Sequence, residues 1–358
     1  MRYLTILFST LCLGYSVFAS DIQIVGQRHI TIKKSTPHLP AARLYNAPSS
    51  MNTITLMNLK LSDRAKDVMV NKARKVRLTP FLVSGDQKKS AVQLGMNGVP
   101  PSNQGYHGTC ATFANVAAID ALLGKGNYIS SLCSLQLGSY LEKNGYSVGG
   151  WEGSFGRVVL SQIDKFGVIS INNQKKYSCG GEMEYPEFAS QPNSQMSLSD
   201  FHAISESLEQ KQITWTPILD ISQFVMQEVD ENHLLKQVKD ALSNGDRVTF
   251  GVLLIHINKG IAGAVGKHHV QNDSWVLTNQ MIQDLESGNE FEYGAHEMII
   301  TGYDDVATVI DENGQVHQGL LTLRNSWGSS IGNQGDFYMS YDYFKTLAIE
   351  AQRIRSLS

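Results

Sequence analysis

Three short segments hold side chains that could act together on a carbonyl group. In Gln104-Gly105-Tyr106-His107-Gly108-Thr109-Cys110 a thiol stands where a glycine-containing turn runs into an apolar helix. A helix N-terminus offers free N–H groups and the positive end of the peptide dipole, so a thiolate is favoured there. The same N–H groups could hold a developing oxyanion, with the Gln104 side-chain amide as a second donor. A thiolate nucleophile needs a base, and the base needs a group to orient it. His296 opens the run His-Glu-Met-Ile-Ile-Thr-Gly-Tyr, and Asn325 ends the run Leu-Leu-Thr-Leu-Arg-Asn before Ser-Trp-Gly. At a strand end a polar side chain can face a cleft instead of the core. Each residue alone also has a plainer reading: Cys110 as a small buried side chain, His296 as a hydrogen-bonded core histidine, Asn325 as a turn former before Gly328.

The elements that must position these residues can be read from periodicity. Phe113, Val116, Ala117 and Leu123 recur at helical spacing after Cys110, and further helices are expected at Ser154 to Phe166 and His233 to Leu242. Strand-like runs come later, at Val248 to Ile255, His296 to Tyr303, Gly319 to Arg324 and Phe337 to Met339. Helices first and strands later make an α+β protein whose two halves can form a cleft between them. Residues 20–87 differ from the rest. Alternating stretches at Gln23 to Lys33 and Thr53 to Leu61 read as a β-hairpin with a long connection, and Ser62-Asp63 can cap a helix running to about Arg77. A piece of that size has little core of its own and must lean on the remainder of the chain.

Taken together, the three segments resemble the papain-like cysteine peptidases. QGYHGTC at Gln104 to Cys110 is similar to the family's QGxCGSC, HEMIITGY at His296 to Tyr303 to its HAxxxxGY, and NSWGSSIGNQGDF at Asn325 to Phe337 to its NSWGxxWGxxGY. The order matches, as does the Gly149-Gly150 pair between Cys and His, and the likeness spans residues 90 to 345. It implies a two-lobed fold, with a helical left lobe and an antiparallel, barrel-like right lobe. It also implies Cys110 as nucleophile, paired as a thiolate with His296 as general base and acid, Asn325 orienting the imidazole, Gln104 donating to the oxyanion and Trp327 shielding the His–Asn bond. Gly149 and Gly150 would allow close approach of an extended peptide, and Trp151 would wall a neighbouring pocket that takes apolar or aromatic side chains. There are departures: His107 and Ser147 stand where the family has a disulfide pair, and Ala111 and Ile331 replace tryptophans. The stretches from Gly180 to Asp230 and from Asn258 to Gly294 exceed a minimal member and could hold exosites or lids.

Arg2, the apolar run Leu4 to Leu13 and Val17-Phe18-Ala19 read as a secretory signal over residues 1–19. Leu11 before Cys12 lacks the small-residue context of a lipid-modified cysteine. Export leaves three cysteines in an oxidising compartment: Cys110, with Cys133 and Cys179 either bridged to each other or left as buried thiols. A bridge would close a loop worth about 4 kcal/mol in the chain-entropy model. The adjacent His268 and His269 lack ligands at useful spacing, so no metal and no cofactor is expected.

The net charge of −3 hides an asymmetry. Residues 21–90 carry 13 Lys+Arg against 4 Asp, a net of +9, and residues 91–358 carry 16 Lys+Arg against 29 Asp+Glu, a net of −13. With no general basic field, a nucleic-acid partner is not expected, and no run is long enough for a membrane span. The expected protein is a secreted, monomeric cysteine endopeptidase acting on proteins or peptides. It has a signal at 1–19, a hairpin-and-helix prosegment at 20–87 that docks by charge and inhibits, and a peptidase domain at 88–358. The competing reading is a catalytically silent papain-like module that binds peptides or partners.

Overall fold

The computed structural model describes residues 21–33, 51–78, 90–227, 230–287 and 293–357; the signal reading, the hairpin connection 34–50 and the basic stretch 79–89 lie outside them. The two alternating runs form the hairpin β1 (Ile22–Lys33) and β2 (Met51–Leu61), antiparallel from Ile22↔Leu61 to Lys33↔Met51. Ser62 Oγ accepts the Ala65 N–H at 3.1 Å and caps α1 (Asp63–Leu78). After the short β3 (Ala91–Gln93) come α2 (Cys110–Leu123), α3 (Ser131–Lys143), α4 (Gly156–Phe166), α5 (Ile171–Tyr177) and α6 (Leu198–Ile204). The chain then alternates: β4 (Ile213–Leu219), α7 (Ile221–Met226), α8 (Glu231–Ser243), β5 (Arg247–Leu254), β6 (Ser274–Trp275), α9 (Asn279–Ser287) and β7 (Tyr293–Ile310). It closes with β8 (Val316–Arg324), β9 (Asp336–Ser340), α10 (Tyr341–Leu347) and β10 (Ala348–Ser356).

Among the described residues the strands share one sheet, in the order β4-β10-β5-β7-β8-β9-β6. The long β7 is its axis. One edge of β7 carries β5 and then β3; the other carries β2 at Tyr293 to Ala295 and then β8 from Ile299 onward. The hairpin therefore sits in the sheet beside the strand that bears His296.

Helix α2 is apolar on every side, as an interior helix must be. Ala111, Ala114, Ala117, Ala118 and Ala121 are buried along it, small enough to let α2 lie close to the sheet. The N-terminal segment does lean on the rest: Ile54, Leu56, Met57, Leu59, Val68 and Met69 share one core with Val252, Leu254, Met281 and Phe344. The stretch from Gly180 to Asp230 contributes α6, β4 and α7, so much of it is integral to the layers.

Candidate active site

The turn before α2 is held from outside by residues 185–188. Tyr185 donates its hydroxyl to the Gln104 carbonyl at 2.8 Å and shares a hydrogen bond with Thr109 Oγ1, also at 2.8 Å. The Tyr106 N–H donates to the Glu187 carbonyl. Both glycines of the turn are required by contact: a Cβ on Gly105 would fall 1.7 Å from the Glu187 oxygen, and one on Gly108 2.5 Å from that of Glu152. His107, where the resemblance has a cysteine, donates Nε2–H to the Pro186 carbonyl at 2.7 Å and meets Trp151 and Tyr185 edge-on. An aromatic cluster thus stands where the family disulfide would be. Cys133 and Cys179 are bridged, which anchors the chain leading into this strap.

His296 and Asn325 come together across β7 and the end of β8. The His296 ring nitrogen Nε2 lies 2.7 Å from Asn325 Oδ1, which also accepts the Ser326 N–H. An amide oxygen only accepts, so Nε2 carries the proton and Nδ1 is left as a base. Nδ1 has no hydrogen-bond partner, and the Trp327 ring stacks on the imidazole at 4.5 Å. Trp327 is itself buried.

Gln104 is fixed by Ser326, whose hydroxyl donates to Oε1 at 2.7 Å. Its amide nitrogen donates to the His107 carbonyl at 2.8 Å and to the Thr55 carbonyl, on β2, at 3.1 Å. Thr55 Oγ1 in turn donates to the Gly105 carbonyl. Strand β2 lies against the site through Thr55, and Met57 packs against Gly153; Cys110, His296 and Gln104 are buried.

Burial decides the charge state. Desolvation, with Glu297 nearby, pushes the Cys110 thiol up to about 12, although backbone N–H groups of Glu297, Ala111 and Cys110 offset part of this. Desolvation also lowers His296 to about 4 against the pull of Asn325. The thiolate–imidazolium pair implied by the resemblance is therefore not the favoured form while β2 is docked. Both groups are neutral.

Gly149 and Gly150 lie against α3. The Gly149 carbonyl would be 2.0 Å from a Cβ on Gly138, and Gly150 has a φ of +105° that favours glycine. Trp151 is buried, stacked on Tyr185 at 5.7 Å, and its carbonyl accepts the Gly108 N–H. Among the described residues no group of three His, Cys, Asp or Glu could hold a metal; the His268 and His269 N–H groups bind the Asp273 carboxylate. Sequence reasoning missed Thr55, Tyr185 and Ser326. A backbone carbonyl carries no residue-type signal, and a Tyr-Pro pair or a Ser in a turn is unremarkable in sequence.

Residues 216–352 match the model of the Peptidase C1-like family, a span that includes His296 and Asn325 and not Cys110. No curated protein matches the chain. Among solved structures it is similar to xylellain, a cysteine protease from Xylella fastidiosa, at 18% identity over 75% of this chain and 87% of that one, with a TM-score of 0.48. It is similar also to digestive procathepsin L 3 of Tenebrio molitor larval midgut, at 17% identity, 80% and 78% coverage and a TM-score of 0.44. For the bromelain protease from Ananas comosus the values are 17%, 74%, 97% and 0.41. The family match falls on the part of the chain that holds the imidazole and its amide partner, and there the chain is similar to the Peptidase C1-like family.

Proposed function

We propose that the protein is an exported cysteine endopeptidase made as a zymogen, with Cys110, His296, Asn325 and Gln104 as its machinery and residues 20–87 as its inhibitor. In the open site His296 Nδ1 takes the Cys110 proton, and the thiolate attacks the peptide carbonyl. The oxyanion is held by the Gln104 amide and the Cys110 N–H. The imidazolium gives its proton to the leaving amine, and water, deprotonated by the same imidazole, hydrolyses the thioester. Asn325 holds the imidazole in the tautomer this cycle needs.

The observation that carries the zymogen reading is the Thr55 carbonyl on Gln104 Nε2: a carbonyl of the chain's own N-terminal segment uses the donor that a substrate carbonyl requires. Among the described residues, ion pairs join the basic segment to the acidic body from Lys72 and Lys75 to Glu231 and from Arg74 to Glu286, at 3.7–4.0 Å. No described helix is long and apolar enough to cross a membrane; export rests on the leader at 1–19. The substrates are peptides with an apolar or aromatic side chain two residues before the cleaved bond, admitted beside Gly149-Gly150.

The neutral, sealed thiol favours one competitor, a silent module that never opens. One experiment separates them. The full chain is labelled with an epoxide-type thiol inhibitor and assayed on a peptide library, before and after limited proteolysis, with Cys110→Ala as control. Labelling and hydrolysis that appear on proteolysis and vanish in the folded variant are expected. A cut, folded protein that neither labels nor hydrolyses peptides makes it the silent module.

A further inference from the structure

Two buried carboxyl groups lie behind the site and take no part in the proposed bond making. Glu297 follows His296 on β7, so its side chain turns to the opposite face, against α2. There Asn115, five residues after Cys110, donates its amide to Glu297 Oε1 at 2.6 Å and to the Ala111 carbonyl at 2.8 Å. Asn115 also accepts from Thr249 on β5 at 2.8 Å. The helix that begins with the thiol is thereby tied to the residue next to the imidazole.

Glu350, on β10, converges on the same spot. Its Oε1 accepts the Gly156 N–H at 2.9 Å, and a Cβ on Gly156 would fall 2.3 Å from Glu297 Oε1. Both acids are buried, 1% and 2% exposed, and their partners are amides and backbone N–H groups. Two carboxyls gathered on neutral partners cannot both ionise cheaply. The donors decide which one holds the proton. Glu350 accepts from the Gly156 and Arg157 N–H groups at the start of α4 and from Gln352 on β10, whereas Glu297 accepts from Asn115, with a further pull from the Gly156 N–H, and its Oε2 has no partner. Charge therefore belongs on Glu350 and the proton on Glu297. Burial raises both, and the nearby Glu350 charge raises Glu297 further, well above the usual carboxylate range. The other charged groups facing the pair are the Arg157 guanidinium, shared with Asp220, and Arg324, engaged by Asp336.

We propose that Glu297, clamped by Asn115 and sharing one proton with Glu350, is a positioning residue that sets the thiol of α2 against the imidazole of β7. Protonation of Glu297 also removes the negative charge that otherwise helps push the Cys110 thiol up. The proposal rests on the peptidase reading for its purpose, but its tests need no turnover, so absent hydrolysis in the unsubstituted chain would count against that reading alone.

The full chain is tested in two ways. The infrared difference between the unsubstituted protein and Glu297→Gln at neutral pH should contain the carbonyl stretch of a protonated carboxyl. The subtraction cancels Asp120, which burial pushes up to about 7. Alkylation of Cys110 by iodoacetamide is then followed against pH by peptide mapping. Glu297→Gln, which keeps the acceptor for Asn115, should stay within about twofold of the unsubstituted profile, and Glu297→Leu should react at least about tenfold more slowly with a displaced profile. A folded Glu297→Leu with an unchanged profile, or an infrared difference without the protonated band, overturns the proposal. Should Glu297→Leu fail to fold, the infrared comparison decides alone.

Discussion

The Gln104 side-chain amide has two hydrogens, and the carbonyl of Thr55 takes the one that the His107 carbonyl does not. Nothing on that donor is left for an oxyanion while β2 is in place. In the proposed mechanism, docking of β2 and use of Gln104 on a substrate therefore exclude each other.

Displacing β2 should uncover the thiol. Met57 pairs with Ala295, one residue before His296, and is 2% exposed. Met57→Asp places a charge in that apolar contact, and Cys110 alkylation in the full chain should rise at least about tenfold, since opening β2 becomes cheaper by more than about 1.4 kcal/mol. An unchanged rate in a folded variant would show that β2 does not control access.

Acid should favour opening. A histidine lowered from 6.5 to about 4 by burial leaves the open form holding more protons than the docked one between those values. The docked form is thus most stable above pH 6.5 and loses up to about 3 kcal/mol as pH falls through about 4. Cys110, raised from 9.0 to about 12, adds a loss on the alkaline side as pH climbs through that interval. Hydrogen exchange of the β2 amides, corrected for intrinsic rates, should show opening growing from pH 6.5 to 4. A flat opening constant would contradict the assigned desolvation.

Salt should act weakly. Arg74 and Lys75 have more than half of their side-chain surface exposed, so their pairs with Glu286 and Glu231 contribute about 0–1 kcal/mol each. Arg74→Glu with Lys75→Glu should raise the Cys110 alkylation rate a few-fold and abolish most of its salt dependence. Lys72 is different, being 4% exposed and seated over the Phe224 ring. A salt slope unchanged by the double substitution would move the electrostatic contact elsewhere.

Asn325→Ala should lower kcat of the opened enzyme by about ten- to a hundredfold with little change in KM. The imidazole loses the acceptor that fixes its tautomer and angle, while the bond-making groups remain. A loss as complete as that of Cys110→Ala would make Asn325 more than an orienting group.

The sequence alone was enough for the hairpin, for the helix that begins at Cys110 and for the strand that ends before Asn325, because each has a local signature: alternation, a glycine turn into an apolar run, a polar residue at the edge of a strand. His296 instead lies within β7, which starts at Tyr293, three residues before the strand start expected for it. Strand β10 left no such trace. Its polar residues Glu350 and Gln352 are buried, bonded to each other and, through Gln352, to Thr249 in the interior, so its pattern of apolar and polar residues does not mark a face toward water. The sealing of the site by β2, the strap of Tyr185 and Glu187 and the Asn115–Glu297 tie join residues 49 to 182 positions apart. Only packing decides such contacts: they arise when α2 is buried against β7 and β2 completes its edge, and no periodicity in either segment specifies the other.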